Sequence, residues 1–227
     1  DVNSTVLKIG SAGTYTGVTE TLTLSNSGTG TSRPFVVEGT YTPDRNITRF
    51  TGTSATEVQA TTYATLQVYP ASGTQTYTLG TTTSQTITVN EDFVVGNGGT
   101  LTLQHDTYAP ALVLKGDMTI HTSAVWIASS ANPITFSSVG TATFTNNGSL
   151  DSLGDISLTG GTSTPQLLLA SGMNAKTIDV TSSHTLNAGG TYTITIYGTT
   201  GVMFKNSGTF TPSTSTVIFN GDGSTTL

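Results

Sequence analysis

Residues 191–197 read Thr191-Tyr192-Thr193-Ile194-Thr195-Ile196-Tyr197. Polar and apolar side chains alternate with a period of two. A strand sends successive side chains to opposite faces, so Ile194 and Ile196 share one face and the threonines the other. The same pattern recurs in Thr21-Leu22-Thr23-Leu24, Gln85-Thr86-Ile87-Thr88-Val89, Gly99-Thr100-Leu101-Thr102-Leu103 and Ser215-Thr216-Val217-Ile218-Phe219. Branched Thr, Ile and Val and aromatic Tyr and Phe suit a pleated, half-buried surface. No longer stretch carries helical spacing, and Gly and Pro interrupt the chain too often for it. The chain is all-β.

Between strands a corner element returns. A short apolar strand meets Gly, Asn or an acidic residue, and a second short strand follows. Examples are Val36-Val37-Glu38-Gly39-Thr40-Tyr41, Val89-Asn90-Glu91-Asp92-Phe93-Val94, Leu114-Lys115-Gly116-Asp117-Met118-Thr119, Phe144-Thr145-Asn146-Asn147-Gly148-Ser149 and Phe204-Lys205-Asn206-Ser207-Gly208-Thr209. Gly and Asn tolerate positive φ, which a sharp corner is expected to need. From Gly116 onward the corners lie roughly 30 residues apart, the length of a coil of three short strands and three corners. The leading expectation is a β-solenoid of the right-handed β-helix kind. Antiparallel β-sandwich modules satisfy the same alternation and stand as the alternative.

A longer repeat overlies the coils. Phe35 to Pro43 returns as Phe204 to Pro212, and the match runs on without a gap through Phe50 with Phe219, Gly52 with Gly221 and Thr56 with Thr225. Eight of 24 aligned positions are identical. The chain divides into a first copy of the element in 1–58, a continuous β-rich body in 59–193 and a partial second copy in 194–227. Position 227 aligns with Val58, where the first copy continues. The second copy is therefore expected to end open, inside a longer tandem array or completed by a neighbouring subunit. Phe204, Gly208, Phe210, Pro212, Val217, Phe219 and Leu227 form the candidate self-association element. Its partners are a second copy, head to tail, or adjacent repeats of a longer chain.

Composition narrows the role. In 227 residues there are 51 Thr, 24 Ser and 26 Gly, while charged residues make up only 9%, against about 25% in an ordinary soluble domain. Seven Lys+Arg against 13 Asp+Glu give a formal charge of −6, which argues against nucleic acid. The longest apolar runs, Ala109 to Leu114 and Leu167 to Ala170, are too short for a membrane span of about 20 residues. Cysteine is absent, so core and repetition must hold the fold. Low Lys and Glu with high Thr, Ser and Gly suggest a secreted or cell-surface protein. Asp1-Val2-Asn3-Ser4-Thr5 carries no export signal, and prior removal of one is the expectation. Sequons stand at Asn3, Asn46 and Asn147, and the dense Thr/Ser permits O-glycans.

The Gly-Thr-[Tyr/Phe]-Thr-Pro element, followed by a strand ending in Phe and Gly, resembles Thr/Gly-rich β-solenoid repeats of large bacterial surface proteins. These are the filamentous-haemagglutinin-like and autotransporter-like adhesins. The resemblance covers most of the chain as composition and about 50 residues as motif. It implies an extracellular structural or adhesive role and brings no catalytic residue with it.

Chemical motifs are weak. His105, His121 and His184 have no partners at metal-ligand spacing, and no serine stands in a nucleophile motif. Glu91 and Asp92 are adjacent and would diverge on a strand. Asp151 and Asp155 flank a turn and could meet across it, as a glycosidase pair would require. Asn220-Gly221-Asp222-Gly223-Ser224 faintly resembles a calcium loop, and a strand turn explains it equally well. Trp126, in Ala124-Val125-Trp126-Ile127-Ala128, is expected in the core. Thr-x-Thr pairs could line an ice-binding face only if stacked at constant spacing, and their spacing is irregular. The expectation is a non-enzymatic extracellular structural protein without cofactor or metal, extending a surface layer, stalk or filament. An adhesin-type module for surface glycans or ice and a carbohydrate-active β-helix enzyme are the alternatives.

Overall fold

The computed structural model describes residues 1–128, 133–161, 165–199 and 201–221, with the backbone of Thr225–Thr226. Its strands are short, mostly two to six residues, and every pairing among the described residues is parallel. Alternation alone left hairpins open; uniform parallel pairing between successive passes of the chain excludes the antiparallel sandwich. Each pass stacks on the previous one, and the fold is a β-solenoid of about nine turns.

Three faces run along it. The long face has ten strands, from Val2–Ser4 through Thr65–Val68 and Phe93–Val95 to Thr209–Thr211. A second face has seven, from Thr62–Tyr63 through Ala111–Leu114 and Asp155–Leu158 to Phe204–Asn206. A third has five, Thr56–Val58 to Ser149–Leu150. After a break, Met173–Ala175, Thr193–Ile196 and Thr216–Phe219 occupy the same place in the turn as a separate three-stranded sheet.

Alternation now has a physical meaning. Along the second face, Tyr63, Val89, Leu114, Phe136, Leu158 and Val180 follow one another inward in register, all buried. The residues one step away, Thr62, Thr88, Val113, Thr135, Ser157, Asp179 and Lys205, form the outward row. Each large inward side chain contributes about 1.5–3 kcal/mol through burial. Near the amino end the core is aromatic. Phe35, Tyr41, Phe50 and Tyr63 pack with ring centroids 5.1–6.4 Å apart, mostly edge to face, the arrangement that the ring quadrupole favours.

Turns are shorter than the expected 30 residues and vary in length, so the spacing of the corner motifs from Gly116 onward overestimates the coil: Leu158 pairs with Val180, 22 residues on. Thr48 pairs with Leu66, 18 residues on; Phe93 pairs with Met118, 25 on; Leu7 pairs with Phe35, 28 on. Strand register stays fixed and the corners absorb the difference. In the longest turn the extra chain forms a short 3-10 turn, Gly30–Ser32, laid over Glu57. Gly30 N donates to one Glu57 carboxylate oxygen at 2.8 Å and the Tyr108 hydroxyl donates to the other at 3.1 Å. Glu57 is an outward strand residue that is buried for this reason.

The corner glycines serve a different purpose from the one expected. Gly39, Gly116, Gly148 and Gly208 do not adopt positive φ. Each lies against carbonyl oxygens of the preceding turn. A Cβ on Gly39 would stand 2.3 Å from the oxygens of Gly10 and Gly13. On Gly148 it would stand 2.5 and 2.6 Å from those of Ala124 and His121, and on Gly208 2.4 Å from those of His184 and Thr181. In all three, a tight i to i+3 turn presents two carbonyls and the glycine of the next turn sits over them. Closeness of successive turns, not backbone handedness, selects glycine here.

Candidate functional site

The 169-residue repeat reappears strand for strand. Phe35–Val37, Thr40–Thr42, Ile47–Phe50 and Thr56–Val58 have as counterparts Phe204–Asn206, Thr209–Thr211, Thr216–Phe219 and Thr225–Thr226. The matched strands lie on different faces: Ile47–Phe50 belongs to the ten-stranded face and Thr216–Phe219 to the three-stranded sheet, while Thr209–Thr211, the counterpart of Thr40–Thr42, ends the ten-stranded face. Cover differs as well. Phe35, Tyr41 and Phe50 are buried, with Phe50 at 0% exposure. Their counterparts Phe204 and Phe210 are only half-buried, and Phe219 is 41% exposed.

These are core positions without a roof. Phe204 continues the inward row of Ile156 and Ile178, and Phe210 that of Leu167 and Leu186. Val217 and Phe219 continue the rows of Ile194 and Ile196. Phe204 and Phe210 meet edge to face, centroids 5.4 Å apart. Outward Ile218 adds exposed apolar area beside Phe219. Of the rest of the candidate element, Gly208 is a corner glycine with an internal role. Pro212 is exposed and opens a turn in which the Ser215 amide and hydroxyl donate to its carbonyl, at 3.0 and 2.6 Å. Leu227 lies outside the described residues.

At the other end, Val2–Ser4, Leu7–Ile9 and Thr14–Thr16 are paired on one side only. Val2 and Val6 are exposed and Leu7 and Tyr15 half-buried. Both ends of the described solenoid therefore present open strand edges with apolar side chains among them. No family model, curated protein or solved structure matches this chain. The resemblance to surface-protein repeats is carried by the quoted residues alone.

Other candidates separate. His105 is a core residue: Nε2 donates to the Pro110 carbonyl at 2.8 Å, and the ring tilts against Trp126 at 5.6 Å. Burial pushes its pKa below the ordinary 6.5. Its Nδ1 and the Trp126 Nε1–H are both buried without a hydrogen-bond partner. Trp126 occupies the core, as expected. His184 is a corner residue whose Nε2 donates to the Gly160 carbonyl at 2.6 Å.

Asp151 and Asp155 go to different faces. Asp155 opens a second-face strand and accepts from the Thr177 hydroxyl at 2.8 Å, while Asp151 stands beyond the last strand before the third-face break. Buried Leu153 lies between them. Among the described residues no three His, Cys, Asp or Glu gather as metal ligands. Asp222, Gly223 and Ser224 of the calcium-like stretch lie outside the described residues. No described helix is long and apolar enough to cross a membrane.

Thr-x-Thr pairs stack over at most two turns among the described residues. Examples are Thr14 and Thr16 on Thr40 and Thr42, and Thr74 and Thr76 on Thr100 and Thr102, a row that ends at Val125. Of the sequons, Asn3 and Asn147 are exposed. Asn46 is fully buried, its Nδ2 donating to Tyr41 Oη at 3.0 Å and Thr48 Oγ1 at 3.3 Å. One feature the sequence did not point to is a depression of about 420 Å³ at the third-face break, lined by Leu150, Asp151, Ser152, Asn174 and Tyr197. Only Asp151 among these stood out by motif.

Proposed function

We propose that this chain is a non-enzymatic extracellular structural protein, secreted or held at the cell surface, that forms or extends a surface layer, stalk or filament. The carrying observation is the contrast along one inward row. Covered by the next turn, Ile196 is fully buried; Phe219, which follows it in that row, is 41% exposed. The proposed cover is the first turn of a second copy, with its open edges and Val2, Val6, Leu7 and Tyr15, or an adjacent repeat of a longer chain. Burying each phenylalanine would contribute up to about 1.5–3 kcal/mol, and new parallel ladder bonds would add to it. Nine ladder steps at about 4.8 Å each give a body about 43 Å long. Its outward Thr and Ser keep it soluble at low charge.

The test is negative-stain microscopy with sedimentation velocity across a concentration series. Filaments with an axial repeat of one chain are expected. Ile218→Asp with Phe219→Asp places charge on the contact and, with the fold verified by circular dichroism, should return single rods; Ile218→Asp alone, at an outward side chain, should weaken assembly in the same direction. Rods that stay single at every concentration, or filaments unaffected by the charges, would refute the end-to-end model.

A further inference from the structure

The depression at the third-face break is a second feature with binding chemistry, independent of the ends. Two sheets meet there without joining: one stops at Ser149–Leu150 and the next begins at Met173–Ala175. Asn174 bridges the gap. Its Nδ2 donates to the Leu150 carbonyl at 3.1 Å, and its own carbonyl accepts from Leu153 N at 2.8 Å. Asp151 and Ser152 leave the ladder between these contacts. Ser152 Oγ accepts from Gly154 N at 2.9 Å, which fixes the turn and leaves the hydroxyl proton free to donate. Tyr197, just past the strand Thr193–Ile196, is 38% exposed as a residue.

The unused polar capacity is mixed. Asp151 offers carboxylate acceptors, Asn174 its Oδ1 and second amide proton, Ser152 its proton and Tyr197 a phenol that both donates and accepts. Beside them lies the exposed Tyr197, while Leu150 is a core residue at the floor of the break. No cation lines the depression, which disfavours anionic ligands, and its volume is within the ~300–1,000 Å³ of small-molecule sites. A pyranose ring has the complementary surface. One side presents C–H groups to an aromatic ring, and the rim carries hydroxyls that each donate and accept.

We propose that the depression formed by Leu150, Asp151, Ser152, Asn174 and Tyr197 binds an uncharged pyranose, with the sugar on the Tyr197 ring and its hydroxyls shared among Asp151, Ser152 and Asn174. A surface rod would then carry a lateral glycan contact separate from its ends.

The test uses the whole chain on an array of immobilised neutral hexose and N-acetylhexosamine glycans. Retained glycans are then titrated by heteronuclear NMR. Shifts at Asp151, Asn174 and Tyr197 are expected. Tyr197→Ala, which keeps the backbone bond from residue 197 N to the Ala175 carbonyl, should weaken binding by about tenfold or more. Asp151→Asn should weaken it less, and Val139→Ala, at a distant exposed site, should not change it. No retained glycan, shifts confined to other residues, or binding that survives Tyr197→Ala would overturn the proposal. The end-charged Ile218→Asp, Phe219→Asp chain should bind as well as wild type, which separates this outcome from that of the assembly experiment.

Discussion

Replacing Gly116 with alanine tests the solenoid where its turns are closest. Gly116 sits between the strands Ala111–Leu114 and Met118–Ile120. A Cβ there would lie 2.3 Å from Glu91 O, 2.7 Å from its carbonyl carbon and 3.1 Å from its Cα. All three are backbone atoms of the preceding turn and have no rotamer to escape into. Reaching a tolerable 3.0 Å requires the turns to part by about 0.7 Å. On either side of Gly116, Lys115 N donates to Val89 O at 2.9 Å and Phe93 N to Asp117 O at 2.8 Å. Stretched by that amount, neither remains a good hydrogen bond, at about 0.5–1.5 kcal/mol each. Against this stands a gain of about 0.4–1 kcal/mol from a stiffer unfolded chain. The net expectation for Gly116→Ala is a loss of about 1–2 kcal/mol. Gly140 is the matched control. It has no left-handed φ and no atom within 4 Å of a built Cβ, so Gly140→Ala should stabilise by about 0.4–1 kcal/mol. Urea unfolding followed by circular dichroism and the fluorescence of the single Trp126 measures both. A Gly116→Ala chain as stable as wild type, or equal losses at both sites, would refute close turn approach as the reason for the glycine.

Two more expectations concern buried polar groups. Burial lowers the pKa of His105 in the folded state, so as pH falls through about 6.5 the unfolded chain takes up its proton first. Stability that is complete above that pH should decline toward the folded-state pKa; His105→Phe should flatten this decline in urea titrations, and an unchanged slope would contradict it. Asn46→Ala should cost about 1–3 kcal/mol by leaving Tyr41 and Thr48 polar atoms buried without it. Glycopeptide mass spectrometry of folded protein made in a glycosylating host should find Asn46 unmodified, and a glycan there would contradict its burial.

Much of this was legible in the chain. Ile194 and Ile196 point inward because period-two alternation dictates it, and the strand limits of the 169-residue copy follow from the matched Phe, Gly and Pro. Pairing direction was not legible, since Thr21 to Leu24 alternates identically in a hairpin and in a coil. The corner glycines were visible, yet a glycine chosen for φ and one chosen for a neighbouring carbonyl look alike in sequence. Asp151 and Asp155 flank a turn in the sequence, which alone allows them to meet across it; the corner at Leu153 sends them to different faces. The Tyr197 depression was hidden for the converse reason. Leu150, Asn174 and Tyr197 meet only through the lengths of two successive turns, which vary along the chain.

That variation separates contour from height. Eighteen residues or 28 complete one turn, yet each turn advances the ladder by a single strand spacing. Insertions at a corner therefore swell the cross-section without lengthening the body or disturbing the rows beneath, as the segment over Glu57 does. Such a scaffold can acquire lateral ornaments one turn at a time. Its span is set by how many turns are stacked, and its girth is free to diversify.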